Sequence, residues 1–425
     1  MKTTLSGRRA LAVAASVGAI ALVLAGCARG ETPPADGGET SGAVEPSPGI
    51  TDTTLTLGIS TPLTGGTAGP GNCTVDGAAA YFGTKNAEGG ITFGDGKTRE
   101  IEILKYDDEY NPEKSAANFQ QMVADGVFAA GLGLGTPTNR SWREAAIDEG
   151  VPQVLVMTGD PIFSEREPGV MTLGLVPVYM QEGAAFGEAL VADGQPHQVA
   201  VLYQNDDYGQ GYVQGFKDSI ADASQITIVK ELSYEPSAQS LEGQMTELAA
   251  TGADVLFHAV SVTPLAIADL QKAAALGWTP IWFLPSNTAS PGGILTPAGV
   301  TADTYPGVYA AGFAEAAAAP PFAESPEGQA YFEAIAEYGS AGQDGKSFPH
   351  CVWSWIGAQI LEQAFMKMTE PTRESFYEAL TSITDFDAQF SFGPIDTTID
   401  GSPAVQTVVL QKFNGAGYAN VDVVG

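Results

Sequence analysis

Leu55, Leu57 and Ile59 alternate with Thr56, Gly58 and Ser60, after which Val75, Ala78, Ala79 and Phe82 recur at helical spacing. The first pattern predicts a strand and the second a helix from about Thr74 to Asn86. Between them lies a loop rich in glycine and threonine, with Gly65, Gly66, Gly69 and Gly71. The same alternation of periods continues. Ile101 to Tyr106 reads as a strand, Pro112 to Asp125 as a helix, Val127 to Leu134 as an apolar segment, Gly135 to Asn139 as a loop, then a helix to Glu149 and a strand Gln153 to Met157. A second series follows, with helices at Met180 to Ala192, Tyr208 to Asp222, Ser240 to Thr251 and Pro264 to Leu276. Its strands are Val199 to Tyr203, Ile226 to Glu231, Asp254 to Val260 and Ile281 to Leu284. Beyond a Pro- and Gly-rich stretch come a strand near Val308, helices at Pro326 to Tyr338, His350 to Met368 and Thr372 to Ile383, and a β ending that includes Val405 to Lys412. Strand and helix alternating over short connections predict an α/β chain with mostly parallel, doubly wound sheets. Two such series predict two lobes, with a ligand cleft where the carboxyl ends of both sets of strands meet.

The loops on that rim are Thr61 to Gly71, Gly135 to Asn139, Met157 to Asp160, Gln204 to Gly209, Val260 to Thr263 and Pro285 to Ser290. They are rich in hydroxyls and amides and poor in acid-base groups. The first invites a phosphate-loop reading, but no Gly-Lys-Ser/Thr closes it and Gly69-Pro70-Gly71 does not extend to G-x-G-x-x-G. A small polar ligand other than a nucleotide is the better expectation, and a plain connection is the alternative.

Composition narrows the partners. The 425 residues carry a formal charge of −31, which argues against nucleic acid and anionic headgroups, since both require basic patches. Lys2, Arg8 and Arg9 precede an apolar, alanine-rich run ending in Leu24-Ala25-Gly26-Cys27. This predicts a signal peptide over residues 1–26, and the four-residue ending resembles the lipobox of bacterial lipoproteins, whose cysteine is acylated. Residues 27–50, polar with Pro, Gly, Glu, Thr and Ser, are expected to be a flexible tether on the outer face of the cell membrane. Of the three cysteines, lipidation of Cys27 leaves Cys73 and Cys351 as an even pair in an oxidising compartment. A disulfide is expected, with two buried thiols as the alternative.

One resemblance covers about Thr53 to the C-terminus. Leu57-Gly58-Ile59 with Pro62-Leu63-Thr64-Gly65, Asp76-Gly77-Ala78, Ala87-Glu88-Gly89-Gly90-Ile91, Tyr106-Asp107-Asp108 with Asn111-Pro112, Glu149-Gly150-Val151-Pro152, Tyr208-Gly209-Gln210-Gly211 and Ala253-Asp254-Val255 occur in that order. This order resembles the leucine/isoleucine/valine-binding family, the type I periplasmic solute-binding proteins of ABC importers. The resemblance implies lobe 1 from residues 51–175 with 307–389 and lobe 2 from residues 176–306 with 390–425. It also implies three hinge crossovers, near Val176, Pro306 and Phe390, and closure around a ligand. Thr136, Thr138 and Asn139, with Arg140 behind them, then match the loop that holds a ligand carboxylate, and Tyr208 matches the second lobe's tyrosine. Thr64, Pro70, Met157, Thr158, Asp160, Thr263 and Ser286 complete the expected ligand-binding set. Branched-chain amino-acid binders carry a threonine at the position of Gly159, an aromatic wall near Pro70 and an acidic residue near Ser286. Here those positions differ, with Asp160, Asp206 and Asp207 as candidate replacements for the acid. The expected solute is accordingly an amino acid, an amide, a urea-like compound or an organic acid.

Other functions find less support. His197, His258 and His350 are the only histidines, and no H-E-x-x-H, G-x-S-x-G or Cys-x-x-Cys is present. An enzyme, a metal and a cofactor are therefore not expected. The remaining alternative is a ligand-sensing lipoprotein that docks on a signalling receptor. No membrane span follows Cys27, which favours an importer with membrane permease subunits as partners and a monomeric binding protein.

Overall fold

The computed structural model describes residues 44–424. The expected signal peptide, Cys27 and most of the tether lie outside the described residues. From residue 47 the chain is held to the body: Ser47 N–H donates to the Pro371 carbonyl (2.9 Å), its hydroxyl accepts from Arg373 N–H (3.1 Å), and Ile50 is buried. The last residues of the expected tether are thus part of the folded unit.

The first lobe begins with β1 (Thr54–Thr61), α1 (Ala68–Ala87), β2 (Ile91–Thr92), β3 (Thr98–Asp107), α2 (Pro112–Ala124) and β4 (Ala129–Gly131). It continues through α3 (Thr136–Arg140), α4 (Arg143–Asp148), β5 (Gln153–Val156) and β6 (Thr172–Gly174). Its six strands run in the order β2-β3-β1-β4-β5-β6. Central β1 pairs in parallel on both sides, Leu57 facing Ile103 on β3 and Ala129 on β4. Both faces of its carboxyl half are buried, which is why the sequence there departs from strict alternation.

The second lobe contains α5 (Tyr179–Asp193), β7 (His197–Gln204), α6 (Asp207–Ser219), β8 (Ile226–Tyr234), α7 (Glu242–Ala249) and β9 (Val255–Ala259). After these come α8 (Thr263–Leu276), β10 (Ile281–Leu284) and β11 (Val308–Gly312). The chain then supplies α9 (Pro320–Glu324), α10 (Pro326–Tyr338), α11 (His350–Lys367) and α12 (Arg373–Leu380) to the first lobe's core. It ends with β12 (Val409–Phe413) and β13 (Tyr418–Asn420) on the second sheet. That sheet has seven strands in the order β13-β12-β11-β10-β9-β7-β8. It is parallel except where β12 and β13 add antiparallel.

Sheet and core membership locate the crossings. At the first, Leu175 and Val176 belong to the first lobe's core, and the second lobe's core begins at Tyr179. The second was expected near Pro306, but β11 extends the second sheet by pairing Trp282 with Val308, and the first-lobe core resumes at Phe313. The third was expected near Phe390. That ring instead packs on Phe322 in the first lobe (4.3 Å between centroids), and Val405 N–H still donates to Leu175 there, so the chain leaves only before β12.

The glycine-rich stretch serves packing more than mobility. α1 starts at Ala68, not near Thr74, and absorbs Gly69 to Gly71 into its first turn, where Pro70 sacrifices no helical hydrogen bond. A Cβ on Gly71 would lie 1.9 Å from the Pro62 carbonyl oxygen, and one on Gly69 would lie 2.3 Å from the Phe348 ring. Farther along, Gly77 faces the Cys351 carbonyl oxygen so closely that a Cβ would sit 2.1 Å from it. α1 and α11 therefore pack nearly backbone to backbone, and the Cys73–Cys351 disulfide joins them.

Candidate functional site

Between the lobes lies a cavity of about 510 Å³ when its open mouth is included. The first lobe contributes Thr67 and Pro70 from the α1 entry, Tyr110 after β3, Leu134 to Thr136 at α3, Met157 after β5, and His350 and Trp353 from α11. The second contributes Tyr179 and Glu182 from α5, Tyr208 and Tyr212 from α6, Ser261 after β9, and Ser286 and Asn287 after β10. Most of these positions follow the carboxyl ends of strands or open the next helix, where doubly wound sheets place their ligands.

Three hydroxyls form one end. Thr136 Oγ1 lies 2.8 Å from Thr158 Oγ1 and 2.9 Å from Tyr179 Oη, and Thr158 Oγ1 lies 3.0 Å from Tyr179 Oη. An aromatic wall follows, with Tyr179 stacked on Tyr212 at 4.7 Å and Tyr208 edge-on to both at 5.0 and 5.1 Å. Tyr208 Oη donates to Asn287 Oδ1 at 3.0 Å. Glu182, 1% exposed, accepts from Ser286 N–H (3.0 Å) and Ser286 Oγ (2.9 Å). Burial raises its carboxyl to about 7, against the lowering effect of those hydrogen bonds. His350 is 1% exposed, and neither ring nitrogen has a protein partner. Burial pushes its pKa down to about 3, so the imidazole is neutral. Among the described residues no lysine or arginine lines the cavity, and Glu182 is the one carboxylate that does.

Of the residues singled out from the sequence, Pro70, Thr136, Met157, Tyr208 and Ser286 line this cavity. Thr158 stands directly behind it, bonded to Thr136 and Tyr179. The others turn elsewhere. Thr64 donates to Asp107 Oδ2 at 2.6 Å on an exposed edge. The expected Gly135 to Asn139 loop is largely α3, and Thr138 and Asn139 spend their polar atoms on the carbonyls of residues 133–135. Asp160 is buried in a two-pronged pair with Arg140. Thr263 is the first residue of α8, outside the lining. Asp206 caps α6 by accepting from Tyr208 and Gly209 N–H, and Asp207 pairs with Arg140 at 3.2 Å. None of these three acids reaches the cavity.

Sequence reading missed Tyr110, Tyr179, Glu182, Tyr212, Asn287, His350 and Trp353. One signal was available: Tyr208 and Tyr212 stand one helical turn apart, as Tyr179 and Glu182 nearly do, on faces otherwise read as core. The lobes also touch directly through Arg140 and Asp207, Tyr110 Oη and Ser261 Oγ (3.4 Å), and Ser290 Oγ donating to the Ser347 carbonyl.

A sequence profile of the periplasmic binding protein family matches residues 54–418, which takes in both lobes and every residue of this cavity. The chain belongs to that family. It is a family of extracytoplasmic binding proteins, not of enzymes, whose members work with ABC transporters on amino acids or other small ligands. A curated relative, Leu/Ile/Val-binding protein homolog 3 of Brucella melitensis, is 26% identical over 48% of this chain and 53% of its own length. The chain thus spans about half the length of the curated relatives it matches. A substrate-binding periplasmic protein from Ralstonia solanacearum superposes with a TM-score of 0.73 at 25% identity, covering 86% of this chain and 99% of that one. A branched-chain amino acid ABC transporter protein from Thermus thermophilus with bound valine also gives 0.73, at 16% identity and with 88% and 96% covered, and shares the fold. Among the described residues no helix is long and apolar enough to cross a membrane.

Proposed function

We propose that this chain is the solute-binding component of an ABC importer and that it captures an amino acid, or a comparable small ammonium-bearing solute, between its lobes. The observation that carries the reading is Glu182, a buried carboxylate in a tyrosine-walled cleft that no lysine or arginine among the described residues lines. An ammonium group there would keep the carboxylate charged and would also gain from the faces of Tyr179 and Tyr212. A solute carboxylate has hydroxyl and imidazole groups available among the lining residues, in Thr136, Tyr179 and His350, whose ring nitrogens have no protein partner. Amides, urea-like compounds and organic acids fit less well, because none supplies the charge that Glu182 lacks. The Leu/Ile/Val-binding names of the curated relatives agree with this reading.

Hinge motion would open the cleft to take up the solute and close it through Arg140 and Asp207. Acylation at Cys27, after removal of residues 1–26, would hold the protein at the outer membrane face beside its permease subunits, as a monomer. The test is isothermal calorimetry of the mature protein with free amino acids and their N-acetyl derivatives. Free amino acids should bind and the N-acetyl forms, which have no ammonium, should not. Glu182→Gln should weaken the former by tenfold or more. Equal binding of the two forms by the native protein would refute an ammonium site.

A further inference from the structure

The cleft does not end at Glu182. A second cavity of about 560 Å³, its mouth included, adjoins the first, and Ser286 and Trp353 line both. Its character is different. Alanines dominate its walls, from Ala289 after β10, from Ala310 and Ala311 on β11, and from the run that follows β11 across to the first lobe. Trp353 is held between the two chambers, its ring 4.6 Å from Phe313 on the second side and 4.4 Å from His350 on the first. Phe313, Phe348 and Trp353 complete a mostly apolar wall, on which Glu315 and Gln411 are the polar exceptions besides the serines, Lys346 and Tyr418. Tyr418, whose hydroxyl is buried without a protein partner, and exposed Lys346 also line it. Unpaired buried hydroxyls are uncommon, and this one borders a cavity.

We propose that the two chambers form one elongated site, and that the solute carries an unbranched aliphatic chain of several carbons from its polar head. The head occupies the tyrosine chamber beside Glu182. The chain passes Ser286 and Trp353 into the alanine chamber, where a polar group at its end is within the compass of Tyr418. The head's identity rests on the function proposed above, whereas the chain chamber rests on the second cavity.

Two series of ligands separate them: straight-chain 2-amino acids from alanine to 2-aminodecanoate, and straight-chain fatty acids of the same lengths. Calorimetry of the mature protein should show the amino acids tightening by about fourfold per methylene once the chain passes Trp353. Ala289→Phe and Ala314→Phe, which fill the second chamber from separate walls, should abolish that gain. Circular dichroism and thermal melting report whether the variants fold. If fatty acids gain with length and amino acids do not bind, the chain chamber stands and the ammonium head falls. No gain with length in either series overturns the proposal, as does a gain that both filled variants retain.

Discussion

Glu182 sets the charge of the cleft, and its proton should be visible in binding. Burial holds its carboxyl at about 7, above the ordinary value of 4.5. The folded chain therefore keeps a proton that the unfolded chain gives up, so this group's contribution to stability is full below about 4.5 and is lost as pH rises through 7. Asp108, buried in the first lobe and also raised to about 7, contributes with the same sign but lies outside the cavity. An ammonium ligand reverses the preference at Glu182 alone, because it favours the carboxylate. Affinity for an amino acid should weaken as pH falls below 7, approaching tenfold per unit, and binding at pH 6.5 should release a proton. Calorimetry in two buffers of different ionisation enthalpy measures that proton, and Glu182→Gln should remove both effects. His350, depressed to about 3, stays neutral throughout this range. A native profile flat between pH 5 and 8 would mean that the bound solute does not use Glu182.

The pair α1 and α11 shows how an element can be foreseen and its purpose misread. Cysteine parity anticipated the bond between Cys73 and Cys351, and the alternation of Leu55, Leu57 and Ile59 anticipated β1. Turn chemistry then pointed the wrong way at Gly69 to Gly71, which read as part of a rim loop but lie in the first turn of α1, where Pro62 and Phe348 leave no room for side chains on Gly71 and Gly69. Close approach between segments distant in sequence leaves no local mark. The same holds for Glu182, whose partner Ser286 is 104 residues away. From sequence it is one acid in the first turn of a helix. Removing the α1–α11 link should lower stability without changing the cleft. Cys73→Ser with Cys351→Ser should cost about 2 to 4 kcal/mol in urea unfolding, with solute affinity in native buffer unchanged. Gly77→Ala should cost more per atom added, since the Cys351 backbone must move, and it should broaden the melting transition of the whole unit.

At the scale of the molecule, the proposed hinge closure would make affinity depend on how often the lobes meet as well as on what the cleft contains. Three chain crossings join the lobes, and Arg140 pairs with Asp160 within the first lobe and with Asp207 of the second at 3.2 Å. The Asp160 side of that clasp is buried and the Asp207 side is half exposed. The first fixes the guanidinium in lobe 1, and the second adds only a modest, salt-sensitive term to closure. Since apparent affinity is intrinsic affinity scaled by the closed fraction, Asp207→Asn should weaken every solute by the same factor, up to about fivefold. High salt should weaken the native protein toward the variant. Scattering of the solute-free variant should give a larger mean radius of gyration than the native protein, with the two equal at saturation. Glu182→Gln should instead discriminate between ammonium-bearing and neutral ligands, so measuring both variants over one ligand panel separates closure from recognition. If Asp207→Asn weakens one ligand class and spares another, Asp207 is a ligand contact and the closure role assigned to the Arg140 clasp is wrong.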